Sequence, residues 1–324
     1  MASLREINAP IAEDINAFRK IFRETVRSRV PLLDLIMRYI LKTKGKQMRP
    51  MFVMYSAGIL GKINETTYRA ATMIELMHTA TLVHDDVVDD SFQRRGRFSV
   101  NYLWKNKIAV LAGDFLLSRG MLLALENKDY HLLEIISKAV KDMSEGELLQ
   151  LEKARKLDIS EDVYYEIIRK KTAALLASSM ATGAASVTDD ETLISKMHSI
   201  GENAGMAFQI RDDLFDLQGG NDSGKPTGID IKEKKMTLPL IFLLQQSSRS
   251  EKRKIINIVK NDNENPEKVS WLIEQIRKSG GFDYSIKKME EFNDKALDML
   301  DSLPDNTYRH YMKKLIEYNV ERKK

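Results

Sequence analysis

Six aspartates in two copies of one spacing are the residues of this sequence best equipped for chemistry. Asp85, Asp86 and Asp89 form a D-D-x-x-D group in LVHDDVVDDSFQRRG, with Asp90 beside it, and Asp212, Asp213 and Asp216 repeat the pattern in FQIRDDLFD. Helical positions i and i+4 share a face, so Asp85 and Asp89 point the same way. Each group follows apolar residues. Carboxylates crowded on such a face repel one another and lose hydration, and a cation relieves both penalties. An oxygen-only donor set with neither His nor Cys in the pattern suits Mg2+. Mg2+ keeps waters and shares its shell with phosphate oxygens, so two facing clusters predict a phosphorylated substrate between them. Neither cluster has the D-x-D-x-D-G loop of an EF-hand calcium site. A single triplet reads more often as a solvated acidic face; the repetition within apolar helix is what favours metal.

Cations accompany the acids. Lys46 and Arg49 lie in GKQMRP, Arg94 and Arg95 follow the first triplet, Lys171 lies in RKKTA, and Lys225 and Lys235 flank the loop QGGNDSGKPTG. Singly, each reads as an exposed surface charge, although an arginine fork suits diphosphate oxygens.

Helices must position these groups. The prolines stand at 10, 31, 50, 226, 239, 266 and 304, so residues 51–225 contain none, and that stretch is rich in the helix formers Ala, Leu, Met, Glu and Lys. No hairpin signature of alternating β-branched residues around Asn-Gly or Asp-Gly is present. The expectation is an all-α chain with helices over about 9–28, 30–43, 47–60, 64–91, 98–103, 107–126, 129–154, 160–186 and 190–218, and five more from 236 onward. Ser160 or Asp158 caps the helix containing YYEIIRKKTAALLA. The segment Tyr68 to Val88 is apolar on nearly every side, the mark of a helix central to a large domain. The length of 324 residues would favour two domains. Without a linker or low-complexity segment, however, the expectation is one helical domain over 1–324.

Composition narrows the class. The absence of cysteine excludes disulfides, zinc–thiolate sites, iron–sulfur clusters and a cysteine nucleophile. A net charge of +4 from 51 basic and 47 acidic residues gives no concentrated basic character, so nucleic-acid binding is not expected. The charged start MASLREINAP is unlike a signal peptide. No apolar run approaches the roughly 20 residues of a membrane span; one of the longest, Met236 to Leu244, is interrupted by Pro239. A soluble, cytoplasmic protein is expected.

With these residues in place, the sequence resembles the trans-isoprenyl (polyprenyl) diphosphate synthases over nearly its whole length. The resemblance rests on motifs in order: GKQMRP at 45–50, ELMHTATLVHDDVVDD at 75–90, RRG at 94–96, AGDFLL at 112–117, GELLQ at 146–150, KTAALL at 171–176, AFQIRDDLFD at 207–216 and GKPTGIDIKEKKMTLPLI at 224–241. It implies an all-α bundle of the isoprenoid synthase type around a central cavity. Asp85, Asp86, Asp89, Asp212, Asp213 and Asp216 would hold Mg2+ on an allylic diphosphate, and Arg94, Lys171, Lys225 and Lys235 would complete that site. Lys46, Arg49, His78 and Arg95 would grip isopentenyl diphosphate. Thr172 and Gln209 would turn oxygens to the developing allylic cation, with Phe208 close by. His84 is expected to orient its neighbours rather than bind metal. One departure stands out: the family pattern usually has Gly before the lysine of the last motif, and this chain has Lys234 before Lys235.

In this family, bulky residues four or five positions before the first aspartate stop chain growth. Here those positions are the small Thr81 and Ala80, with Met77 a turn further back. A long-chain, octaprenyl-like product is therefore expected. The alternatives are a short-chain farnesyl or geranylgeranyl diphosphate synthase, a terpene cyclase, or one subunit of a hetero-oligomeric synthase. A cyclase normally varies the second acidic motif, and a non-catalytic subunit tends to lose aspartates. The resemblance also implies a homodimer, and a lipid product is compatible with loose membrane association.

Overall fold

The computed structural model describes residues 3–42, 45–157, 159–218 and 228–321. Those residues are helical almost throughout, as expected, and their contacts gather into two compact units. The first comprises Met1–Val140, Leu175–Ser199 and Asp301–Leu315; the second comprises Lys141–Ala174, Ile200–Leu300 and Ile316–Lys324.

In the first unit, α1 (Leu4–Asn8) and a 3-10 turn around Pro10 lead into α2 (Ala12–Thr25), α3 (Pro31–Lys42), α4 (Met48–Leu60) and α5 (Glu65–Val88). Asn64 starts α5: its Oδ1 accepts from the amides of Thr66 and Thr67 at 2.9 and 3.2 Å, satisfying donors that a helix start leaves open. The all-round apolarity of α5 is met by burial on every side, with Met73, Ile74, Leu76, Met77, Ala80 and Val83 all buried. Removing one such side chain from water contributes about 1.5–3 kcal/mol, so α5 is held chiefly by packing against α2, α4 and the next long helix, α6 (Val100–Glu126). Gly113 permits the α5–α6 approach: a Cβ there would lie 2.5–2.8 Å from the His84 ring. The two helices expected over 98–103 and 107–126 are one element broken at Lys105, whose φ of 69° and ψ of 165° mark a kink.

One expectation needs correcting. Between α5 and α6, β1 (Gln93–Arg94) and β2 (Arg97–Phe98) pair antiparallel. Arg95 and Gly96 turn the corner with φ of 53° and 73°, the left-handed pair that a tight two-residue hairpin requires. Two-residue strands are too short to show alternation, and Arg-Gly replaces the usual Asn-Gly, so the hairpin left no readable pattern.

The second unit takes the C-terminal part of α7 (Tyr130–Lys156), then α8 (Glu161–Ile168), a π-helical turn (Arg169–Ala173), and the last two-thirds of α10 (Glu191–Gln218). Between the π turn and α10 the chain forms α9 (Ala174–Ala185), most of it in the first unit. The segment expected as one helix over 160–186 is thus α8, π turn and α9. Ser160 is the N-cap of α8, accepting from the Val163 amide at 3.4 Å; Asp158, the other capping candidate, lies outside the described residues. Downstream come α11 (Ile229–Lys232), α12 (Leu238–Gln246), α13 (Arg249–Asn261), α14 (Pro266–Lys278) and α15 (Gly281–Asp301), with α16 (Thr307–Glu321) ending the described chain. Ile210, Leu214, Leu217, Leu238, Leu272 and Ile276 form the centre of this unit's core. The loop Gln218 to Gly228 falls almost wholly outside the described residues.

Among the described residues one helix, α6, is long and apolar enough to cross a membrane by length and composition, and a third of its most apolar 18-residue stretch is buried. Its apolar residues are interrupted by Lys105, Lys107, Asp114 and Arg119, so no uninterrupted apolar run marks it in the sequence.

Candidate active site

In the first unit the acidic triplet sits at the C-terminal end of α5. Asp86 is buried; Asp85 is half-buried, and Asp89, the C-cap, is exposed. Arg94, carried round by the hairpin, places Nε and Nη2 at 2.8 and 2.6 Å from one oxygen, Oδ1 of Asp86. The charge-assisted pair offsets the cost of burying that carboxylate.

Two turns below the triplet, α5 meets the start of α4. Arg49 Nη1 lies 3.0 Å from His78 Nε2. A guanidinium only donates, so Nε2 accepts and the imidazole proton sits on Nδ1. Burial drives the His78 pKa well down, with Arg49, Arg95 and Arg94 adding to the effect, so the ring stays neutral across the physiological range. Glu75, three residues before His78, is buried; burial raises its pKa against the pull of Arg49 and Arg95. The Arg95 guanidinium lies over Gly45, where a Cβ would come within 2.5–2.7 Å of it. Arg95, Arg94, His78, Glu75 and Asp86 line one cavity, together with Arg19 and Arg23.

Arg19, Arg23 and Glu75 were not among the expected residues. Arg19 lies far from any motif, yet its Nε donates to Gln47 at 2.8 Å and so braces the GKQMRP segment. Lys46 does not line this cavity; it borders a separate one with Arg5, Asn8 and Arg19. Met77 and Ala80 are buried and Thr81 half-buried, its hydroxyl donating to the His78 carbonyl at 2.9 Å. None of these three lines the arginine cavity.

In the second unit, Lys171 and Thr172 sit on the π-helical turn, a local distortion frequent at functional sites. Two glycines let neighbouring backbone approach it. A Cβ at Gly146 would lie 2.8 Å from the Lys171 amide, and one at Gly205 would lie 2.6 Å from Ala173 Cα. Gly146 opens the GELLQ motif, which gives that motif a steric reason. Lys171 Nζ pairs with Glu147 of the same motif at 2.5 Å.

The second triplet divides its labour. Asp212 is exposed. Asp213 is buried and accepts from Gln209 Nε2 and the Tyr164 hydroxyl, both at 2.8 Å. Asp216 accepts the amides of Ile229 and Asp230 at 3.2 and 3.0 Å, capping α11. Burial pushes Asp213 up to about 7, Asp230 adding repulsion; burial likewise raises Asp230 to about 6, with Lys235 opposing. Lys235 lies 3.4 Å from Asp230 and 2.5 Å from Glu233. Lys234 has φ 59°, the left-handed conformation that glycine adopts without steric cost, which explains a glycine at that place in the family pattern.

Lys171, Thr172, Gln209, Asp212, Asp213, Asp216, Lys234 and Lys235 line one cavity with Tyr164, Asp230 and Thr237. Phe208 is half-buried beside Gln209 in sequence but is not part of that lining. Lys225 lies outside the described residues. Among the described residues no three Asp, Glu or His side chains converge to enclose a metal. An open, oxygen-only set is nonetheless what Mg2+ uses when phosphates supply the rest of its shell. Two further observations fit such a ligand: carboxylates whose pKa values are raised by burial and, secondarily, by neighbouring acids, and a buried Thr237 hydroxyl without a hydrogen-bond partner at the cavity wall.

Residues 30–276 match the polyprenyl synthetase family profile. The chain is 36% identical over 323 residues to an all-trans-nonaprenyl-diphosphate synthase (geranyl-diphosphate specific) of Rhodobacter capsulatus, covering 98% of each chain. It is 33% identical to the octaprenyl diphosphate synthase of Escherichia coli, covering 99% of each. Its fold matches the crystal structure of a decaprenyl diphosphate synthase from Rhodobacter capsulatus with a TM-score of 0.93 and 32% identity, over 99% of each chain. The chain belongs to the polyprenyl synthetase family. It is a prenyltransferase with the all-α isoprenoid synthase fold, of the long-chain trans type that condenses isopentenyl diphosphate onto an allylic diphosphate.

Proposed function

We propose that residues 1–324 form one catalytic domain that extends farnesyl or a related allylic diphosphate by repeated head-to-tail addition of isopentenyl diphosphate, to an all-trans product of octaprenyl-like length. The observation carrying the reading is the second unit's cavity, where the hydrogen-bonded oxygens of Thr172 and Gln209 stand among Lys171, Lys235 and Asp212. Weakly basic oxygens beside fixed cations suit a reaction in which an anion departs and a carbocation remains.

In this reading Asp85, Asp86 and Asp89, and in the second unit Asp212, Asp213 and Asp216, would hold Mg2+, which would supply charge neutralisation to a leaving diphosphate. Lys171, Lys225 and Lys235 of the second unit, and Arg94 of the first, would bind diphosphate oxygens. The allylic C–O bond breaks with the electron pair going to oxygen. Thr172 and Gln209 face the allylic cation that results, and Phe208 packs nearby. Arg49, Arg95, Lys46 and neutral His78 hold the diphosphate of isopentenyl diphosphate, which the product retains. The isopentenyl double bond attacks the cation, and a proton lost to the departed diphosphate restores an allylic product. Apolar helix walls keep out water, which would quench the cation.

Ala80 and Thr81 leave room for a lengthening tail, with Met77 next along α5. Incubation with farnesyl diphosphate, isopentenyl diphosphate and Mg2+, followed by chromatography, tests the reading. Products longer than geranylgeranyl are expected, and Ala80→Phe should shorten them; growth ending at farnesyl would refute the open channel.

The expected assembly is a homodimer. Leu103, Val110, Leu111, Met121, Leu122 and Leu125 leave an apolar stripe exposed along α6, more greasy surface than one helix ordinarily shows to water. Sedimentation of the purified chain checks this, and Leu111→Glu should yield monomer. Elongation by the purified chain alone would also exclude dependence on a second, different subunit. A cytoplasmic enzyme loosely associated with membrane through its lipid product completes the proposal.

A further inference from the structure

Four side chains in the second unit form a hydrogen-bonded chain whose polarity is set at one end. The Tyr164 hydroxyl donates to Asp213 Oδ2 at 2.8 Å, Gln209 Nε2 donates to Asp213 Oδ1 at 2.8 Å, and Thr172 Oγ1 donates to Gln209 Oε1 at 2.7 Å. Both Asp213 oxygens accept, one from Tyr164 and one from Gln209, so the Gln209 amide turns its NH2 toward Asp213 and its carbonyl toward Thr172. The Thr172 proton is then committed to that carbonyl, and the hydroxyl lone pairs are left for whatever occupies the cavity. Tyr164 and Asp213 are both buried, where an unmet hydrogen bond is costly, so the arrangement is strongly held. The chain links three elements: Tyr164 on α8, Thr172 on the π turn, and Gln209 with Asp213 one turn apart on α10.

We propose that Tyr164 and Asp213 are positioning residues that lock the Thr172 and Gln209 oxygens toward the allylic cation. The inference rests on the reaction proposed above. A hydroxyl free to rotate would spend part of its time presenting its proton to the cation, and an amide free to flip would present its NH2. Fixing both in advance leaves no reorganisation for the reaction itself. Asp213 does this through Gln209, separately from any share in metal binding, and Tyr164 touches neither substrate nor metal in this scheme.

Tyr164→Phe isolates the effect because it removes one hydroxyl and leaves every carboxylate in place. Its kcat for elongating farnesyl diphosphate should fall about tenfold, while KM for both substrates and the Mg2+ dependence change less than about twofold. In a Gln209→Ala background the same substitution should have no further effect on kcat, since the group it acts through is gone. Asp213→Asn covers the case of a poorly folded tyrosine variant: an amide there can donate as well as accept, so the chain can reverse, and excess Mg2+ should not restore the rate. Wild-type kcat in Tyr164→Phe, an undiminished loss in the Gln209→Ala background, or rescue of Asp213→Asn by Mg2+ would each overturn the inference while leaving the proposed reaction standing. A wild-type chain that does not elongate would overturn that reaction and this inference with it.

Discussion

The two acidic triplets share one spacing and little else. At the end of α5, Asp86 is buried against the full charge of Arg94, and its helix stops at Val88. On α10, Asp213 is buried against the neutral Tyr164 and Gln209, and the helix runs on to Gln218. Arginines line the first cavity, whereas lysines and further carboxylates line the second. A guanidinium such as that of Arg95 keeps its charge and offers a planar fork, suited to the isopentenyl diphosphate held unchanged through the reaction, while Arg94 is committed to Asp86 beside the leaving group. Compact ammonium groups among carboxylates suit a site where charge changes as a bond breaks. Equal spacing therefore does not mean equal chemistry, because the partner that burial brings to each carboxylate sets its role.

The strongest blow to this comparison would come from the metal side. Asp212→Ala and Asp85→Ala should each lower kcat by roughly 10³-fold or more, read as incorporation of labelled isopentenyl diphosphate, with helical circular dichroism intact. Activity surviving either change would remove that triplet from the reaction. The arginine–lysine contrast predicts a split of smaller size. Arg95→Ala should raise KM for isopentenyl diphosphate by about 10–100-fold with little change for the allylic substrate, and Lys171→Ala should do the converse.

Packing around the π turn supplies a third test. Gly205→Ala puts a methyl 2.6 Å from Ala173 Cα and should cost about 1–3 kcal/mol in urea unfolding, with a fall in kcat as Lys171 and Thr172 shift. No such loss would mean that the glycine does not set the approach.

The carboxylates also differ in what pH does to them. Asp213 and Asp230 bind protons more tightly folded than unfolded, at about 7 and about 6. Their contribution to stability is full below an unfolded pKa of about 4 and is lost as pH rises through about 7. Without divalent metal, Asp230→Asn should flatten the fall in stability between about pH 4 and 7; an unchanged slope would count against burial as the source of the shift. The smallest effect belongs to Lys234. Replacing it by Gly removes a left-handed lysine and should raise stability by up to about 1 kcal/mol in thermal melts.

Much of this was legible beforehand. The helices, their apolar faces and both aspartate groups follow from local pattern, and the motif glycines at 45, 113 and 146 mark close approaches that the structure explains. Other features had no local signature. The hairpin at 93–98 is too short to show a period. Arg19 and Tyr164 stand in ordinary amphipathic helix, and nothing nearby in sequence marks them as partners of Gln47 and Asp213. Glu75 lies within a recognised motif, but its burial beside Arg49 and Arg95 depends on how α4 and the hairpin pack on α5.

Sequence alone carried the all-α class and the family, because helix periodicity and residue type act over a few positions. Tertiary structure decided which carboxylate meets a guanidinium, which meets a phenol and which caps a helix. Those partners come from residues 8 to 49 positions away, and burial alone makes each pairing count, by removing the water that would otherwise have served every aspartate alike.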